Sequence, residues 1–178
     1  FLLGMCIRRG VITYGNRGGS RDGVLTVTCD ASQIPVMDRL KNTFGDLITE
    51  TTRLQAGKYL KLIRFGVSLR DYVKENIGKT RKAFHVPAWV YDSDTLTVEA
   101  FIAGVVGQKM IEHPNELFTF RTHDKKLADD IQRLCTMCGF FTRLMANKDA
   151  NGKNAFTMYI QRMNLRIIGN YKRDEYRQ

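Results

Sequence analysis

Two apolar segments constrain the fold of this chain more than any other feature: FLLGMCIRRG at residues 1–10 and FIAGVVGQKM at residues 101–110. Each reads as a helical run with a glycine in its middle, Gly4 in the first and Gly104 in the second, and each has a cation near its end. A glycine inside a helix costs roughly 1 kcal/mol relative to alanine. Two at matching places imply a compensating use of the missing Cβ, and close approach of two helix backbones is such a use.

The elements downstream of each segment are also repeated. After the first come a strand at 24–30, a helix from Ser32 stopped by Gly45, a hairpin of strands at 47–54 and 59–66 around Ala56-Gly57, and a short helix at 67–76. The second half replays this order. It has a helix at 95–108, a strand at 117–122, a helix at 124–138 stopped by Gly139, and a hairpin of strands at 140–147 and 155–162 around Asn151-Gly152. Setting Gly45 on Gly139 also sets Thr28 on Thr122, Asp30 on Asp124, Arg39 on Arg133 and Leu40 on Leu134. The chain is thus expected to be a duplicated α/β (α+β) protein: repeats at 1–77 and 94–178, and a basic connector at 78–93 without helical or strand period.

The charge balance points to polyanions. The net charge is +10, and the excess sits in the first half, where residues 1–90 carry 15 Lys and Arg against 7 Asp and Glu. Each phosphate neutralised by such side chains releases condensed counterions. With 43% hydrophobic residues among 178 the chain can bury a core, and no apolar run has the length needed to cross a bilayer, so no membrane association is expected. The four cysteines, Cys6, Cys29, Cys135 and Cys138, stand mostly in apolar segments and read as reduced thiols of an intracellular compartment. Cys135 and Cys138 have zinc-like spacing but lie in a helical pattern, with no second ligand pair to complete a site. His85, His113 and His123 show no metalloprotease spacing, and the chain has no phosphate-binding glycine loop and no nucleophile elbow.

These segments resemble the LAGLIDADG homing endonucleases, including intein-embedded members and the related intron maturases. The likeness spans nearly the whole chain: a motif helix opening each repeat, the strand-helix-hairpin order, and HVPAWVYDSDTLTVEAFIAGVV at 85–106 as the approach to the second motif helix. It implies two pseudo-symmetric αββαββα units in one pseudo-dimeric monomer, forming a saddle for nucleic acid. Gly4, Gly104 and Ala103 would make the contact between the motif helices. In the family each motif helix ends on an acid five positions after the packed glycine, and the two carboxylates hold divalent metals. Here those positions are Arg9 and Lys109. A hard cation such as Mg²⁺ takes oxygen ligands and is repelled by a cationic side chain, so no cofactor is expected unless residual nuclease activity retains Mg²⁺. Two cations about 6 Å apart repel by roughly 3 kcal/mol at an effective dielectric of 20. A nucleic-acid phosphate between them would relieve that repulsion.

The resemblance and the strand alternation together nominate a binding surface. Its strand members are Thr26, Thr28, Thr49, Thr51, Arg53, Thr119, Arg121, Arg143, Thr157, Tyr159 and Gln161, with Arg17, Arg21, Lys148 and Lys153 as clamps at hairpin tips. The expected function is non-catalytic binding of nucleic acid. The ligand is either structured RNA, as in an organellar ribosome or other ribonucleoprotein with protein neighbours and a mitochondrial or similar address, or duplex DNA. The alternatives are an endonuclease that still cuts duplex DNA, and a protein-interaction module whose basic surface is incidental.

Overall fold

The computed structural model describes residues 1–13, 23–29, 34–55, 58–80, 83–107, 110 and 116–162. The chain divides into two compact units, Phe1–Gln108 and Lys109–Gln178.

The first unit starts with α1 (Leu2–Arg9), which runs directly into β1 (Gly10–Thr13); β2 (Val24–Cys29) and α2 (Ile34–Phe44) come next. A single 3₁₀ turn over Gly45–Leu47 leads to β3 (Ile48–Gln55), β4 (Lys58–Phe65) and α3 (Val67–Ile77). The short α4 (Ala88–Tyr91) and the long α5 (Thr95–Val106) complete the unit. The strands form one antiparallel sheet in the order β1-β2-β4-β3. Leu25 and Val27 of β2 and Ile63 and Phe65 of β4 point to the side covered by helices. Residues 2–7 of α1 are buried all round because the helix lies between this sheet and α5.

Sequence reasoning misplaces three features here. Four-residue β1 is too short for alternation to reveal. The connector contains α4 and is packed rather than loose: Phe84, Val86 and Val90 are buried, and the Trp89 indole N–H donates to Asn76 Oδ1 of α3 at 2.9 Å. The second motif helix ends at Val106 instead of residue 108, because Gly107 takes φ 132°, a value open to glycine and closed to the right-handed helix. Its start matches, with Asp94 as N-cap accepting both the Thr97 N–H at 3.0 Å and the Thr97 hydroxyl at 2.6 Å.

Among the described residues of this unit, Arg70 of α3 is charged and buried. Its Nη1 donates to the Gly23 carbonyl at 2.8 Å, and its Nε and Nη2 donate to the Asp71 carboxylate at 2.8 and 3.0 Å. Hydrogen bonding from Arg70 holds the Asp71 carboxyl below the usual carboxylate range. The contact therefore ties α3 to the start of β2.

The second unit contains β5 (Phe118–Thr122), α6 (Lys125–Met137), β6 (Phe140–Lys148) and β7 (Asn154–Arg162), with sheet order β5-β7-β6. Leu127, Ala128, Ile131, Leu134 and Cys135 form one stripe of α6 that packs on the sheet over Phe120, Met158 and Ile160. Asp124 caps the helix by accepting the Leu127 N–H at 3.1 Å. This order repeats β2-β4-β3 of the first unit, and Gly45 and Gly139 both take left-handed φ, 51° and 74°, at the helix ends where the repeat aligned them. The alignment of Thr28 with Thr122 fails by one position. Thr28 stands on the open side of its sheet, while Thr122 shares the helix side with Phe118 and Phe120; a one-residue offset in a strand exchanges its faces. Among the described residues no helix is long and apolar enough to cross a membrane.

Candidate nucleic-acid interface

Among the described residues each sheet has helices on one face and no element over the other, and strand register decides which side chains share this open face. On the first sheet the cross-strand row is Val11, Thr26, Arg64 and Thr49, and the next is Thr28, Leu62 and Thr51. Thr49, Thr51 and Arg64 are exposed, and the Thr26 hydroxyl lies 3.5 Å from the Val11 carbonyl. On the second sheet the rows are Thr119, Tyr159 and Arg143, then Arg121, Thr157 and Met145, with Gln161 opposite Phe141. Six residues nominated on the second sheet thus lie in adjoining rows: Thr119, Arg121, Arg143, Thr157, Tyr159 and Gln161.

No described strand residue on either open face is acidic. Glu50, the acid within β3, has the opposite parity and forms an ion pair with Lys41 of α2 on the helix side. Acids instead occupy the helices and loops: Asp71 and Glu75 on α3, Glu99 on α5, Asp129 and Asp130 on α6. The two faces therefore present hydroxyl, amide and guanidinium groups, which suit phosphate and base edges.

The β6–β7 tip is pre-shaped. Asp149 Oδ1 accepts the N–H groups of Asn151 at 2.8 Å and Lys153 at 2.9 Å, and Gly152 takes φ 75°. The N–H groups of Lys153 and Asn151, helped by His123 and Arg121, hold the Asp149 carboxyl below its ordinary value. His123 Nδ1 lies 2.8 Å from the Asn154 carbonyl and its Nε2 lies 3.8 Å from Asp149 Oδ2. Lys148 and Lys153 flank this tip, both exposed. Arg17, Arg21 and Lys109 lie outside the described residues, as does the side chain of Arg53, whose backbone belongs to β3.

Gly4 and Gly104 mark the crossing of α1 and α5. A Cβ on Gly4 would stand 2.9 Å from Val105 N and nearer still to the Phe101 carbonyl; one on Gly104 would stand 2.8 Å from Met5 N and nearer still to the Phe1 carbonyl. Ala103 beside it is fully buried. Arg9 is the last residue of α1 and Arg8 precedes it, with Arg8 Nη1 3.4 Å from the Val105 carbonyl. A helix C-terminus favours such cations. The place where the resemblance requires a metal-binding carboxylate thus holds a guanidinium, which offers no oxygen ligand to a divalent metal. Among the described residues no group of three or more His, Cys, Asp or Glu could hold a metal ion. Burial pushes the Cys135 thiol up to about 12 and the Cys6 thiol likewise to about 12, so neither is a ready thiolate ligand.

Sequence reasoning missed Arg64 and Phe141 of the open faces. Arg64 sits in KLIRF, where it shares parity with Leu62, so its face is settled only by pairing with Thr26 and Thr49. Phe141 comes directly after Phe140, and adjacent strand residues must part: Phe140 is 7% exposed and Phe141 61%.

Neither a family model nor a curated protein matches the sequence. Solved structures do match the fold. A structure of mesophilic variants of the homing endonuclease I-DmoI superposes with a TM-score of 0.60 at 13% identity, covering 90% of this chain and 86% of that one. I-DmoI in complex with DNA and Mn gives 0.59 at 14% identity, covering 93% and 88%. The homing endonuclease I-WcaI bound to its DNA recognition sequence gives 0.52 at 11% identity, covering 90% and 73%. The fold is that of the LAGLIDADG homing endonucleases, as the resemblance implied.

Proposed function

We propose that this chain is a nucleic-acid-binding protein that holds its ligand without cutting it. The observation that carries the reading is the distribution of charge: open sheet faces with arginines and no described acid, and an arginine in place of a carboxylate at the end of α1. The structural neighbours I-DmoI and I-WcaI have been solved bound to DNA, which supports duplex nucleic acid as the ligand. Structured RNA presents the same phosphates, and a place in a ribonucleoprotein of an organelle is consistent with the basic charge.

Catalysis by the fold's nucleases uses carboxylates to hold metal near the scissile phosphate, and Arg9 reverses that chemistry. A guanidinium offers bidentate hydrogen bonds to a phosphate without supplying a water-activating ion. Lys109, which the repeat sets against Arg9, carries an ammonium, a point charge in place of the second carboxylate. The Arg9→Asp, Lys109→Asp double variant is expected to bind mixed-sequence duplexes about tenfold more weakly at 0.15 M salt in EDTA, with a shallower dependence of affinity on salt. Unchanged affinity and slope would mean that these cations drifted into exposed positions and hold nothing.

A further inference from the structure

The open face of the second sheet carries an exposed aromatic ring. Phe141 is 61% exposed on β6, opposite Gln161, with Arg143 two residues along the same strand and Tyr159 diagonally across on β7. A single exposed apolar side chain is ordinary; its company here is not. The ring stands among a guanidinium, a carboxamide and a phenol, on a face with no described acid. In the first unit the repeat sets Leu47 against Phe141; it lies in the 3₁₀ turn before β3 and is exposed but aliphatic and unable to stack.

The geometry points to a binding site for an unpaired nucleotide on this face, with the base stacked on Phe141. Strand spacing puts Arg143 about 7 Å along from the ring, so one nucleotide can lay its base on Phe141 and bring its phosphate to Arg143. Gln161 faces the ring from the neighbouring strand and can donate to and accept from a base edge. Tyr159, diagonal to Phe141 at roughly 7 Å, can take the adjacent base or ribose. Sheets that bind single strands use this combination of an aromatic platform with neighbouring cations. A base inside a continuous duplex has both faces covered by its neighbours, so the site selects a bulge, a loop or a strand end. The inference rests on the nucleic-acid reading and specifies its ligand.

The test compares three probes in RNA and in DNA form: a fully paired 20-mer duplex, the same duplex with one bulged 2-aminopurine, and a single strand. Wild-type protein is expected to bind the bulged probe more tightly than the paired one and to quench the 2-aminopurine signal. Phe141→Ala is expected to lose about 5- to 100-fold in affinity for the bulged and single-stranded probes together with the quenching. It should change paired-duplex binding less than twofold, and Phe141→Trp should retain both affinity and quenching. The RNA and DNA arms show which backbone is preferred. An equal loss on the paired duplex, which would make Phe141 a duplex wedge, overturns the inference, and so does normal binding of all probes by Phe141→Ala. If wild-type protein binds none of the probes, the nucleic-acid reading itself falls.

Discussion

Replacing Gly4 with alanine is expected to destabilise the first unit by about 2–4 kcal/mol, even though alanine favours a helix by roughly 1 kcal/mol. The sign is decided by what surrounds the new methyl group. A Cβ at Gly4 meets backbone atoms of α5, Val105 N and the Phe101 carbonyl, and backbone cannot swing aside as a flexible side chain can. The helices must separate, and buried contacts of Met5, Phe101 and Ile102 loosen with them. Gly104→Ala should cost a similar amount for the reciprocal reason, since it meets Met5 N and the Phe1 carbonyl. The double variant should cost less than the two combined, because the separation forced by one methyl group already admits the other. Gly45→Ala provides the contrast: nothing lies within 4 Å of its Cβ position, so only the left-handed φ is strained, at about 1 kcal/mol. Urea denaturation of the four variants measures all of these differences. Stabilisation by Gly4→Ala would contradict the close crossing.

Reversing the two arginines of the second open face, Arg121→Glu with Arg143→Glu, should weaken nucleic-acid binding by at least about a hundredfold at 0.15 M salt. Both side chains are exposed in adjoining rows, Arg143 beside Tyr159 and Arg121 beside Thr157, so each can meet a phosphate of one bound strand. Losing two phosphate contacts should also flatten the slope of log affinity against log salt by about two. Lys125→Glu with Lys126→Glu is the control for net charge, because both lysines are exposed on α6, which covers the opposite face. A comparable loss in that variant would assign the effect to overall charge rather than to the open face.

The sequence made some of this legible, and the reasons are physical. Gly4 and Gly104 stood out because a helical glycine has a cost that must be offset, and Gly45 and Gly139 because a helix needs a left-handed stop. Alternation correctly assigned Thr26, Thr49, Thr119, Arg121 and Tyr159 to open faces, since each strand buries one face only. It failed where a strand does not alternate cleanly: KLIRF hid Arg64, and the pair Phe140-Phe141 hid which ring faces out until β6 was paired with β7. Identity misled at Thr28 and Thr122, because matching letters do not fix strand parity. Arg70 was equally hidden, for helical pattern places charge outside, yet Val67 is 66% exposed while Arg70 is buried against Gly23 and Asp71.

The most direct measurement is the fate of the ligand itself. Nucleic acid crosslinked to the protein in cells would be identified by sequencing, resynthesised with labelled ends, and incubated with the wild-type protein in Mg²⁺ and separately in Mn²⁺. The account predicts salt-dependent binding with every strand recovered at full length. Strands cut at one reproducible position, in a manner abolished by EDTA, would contradict it.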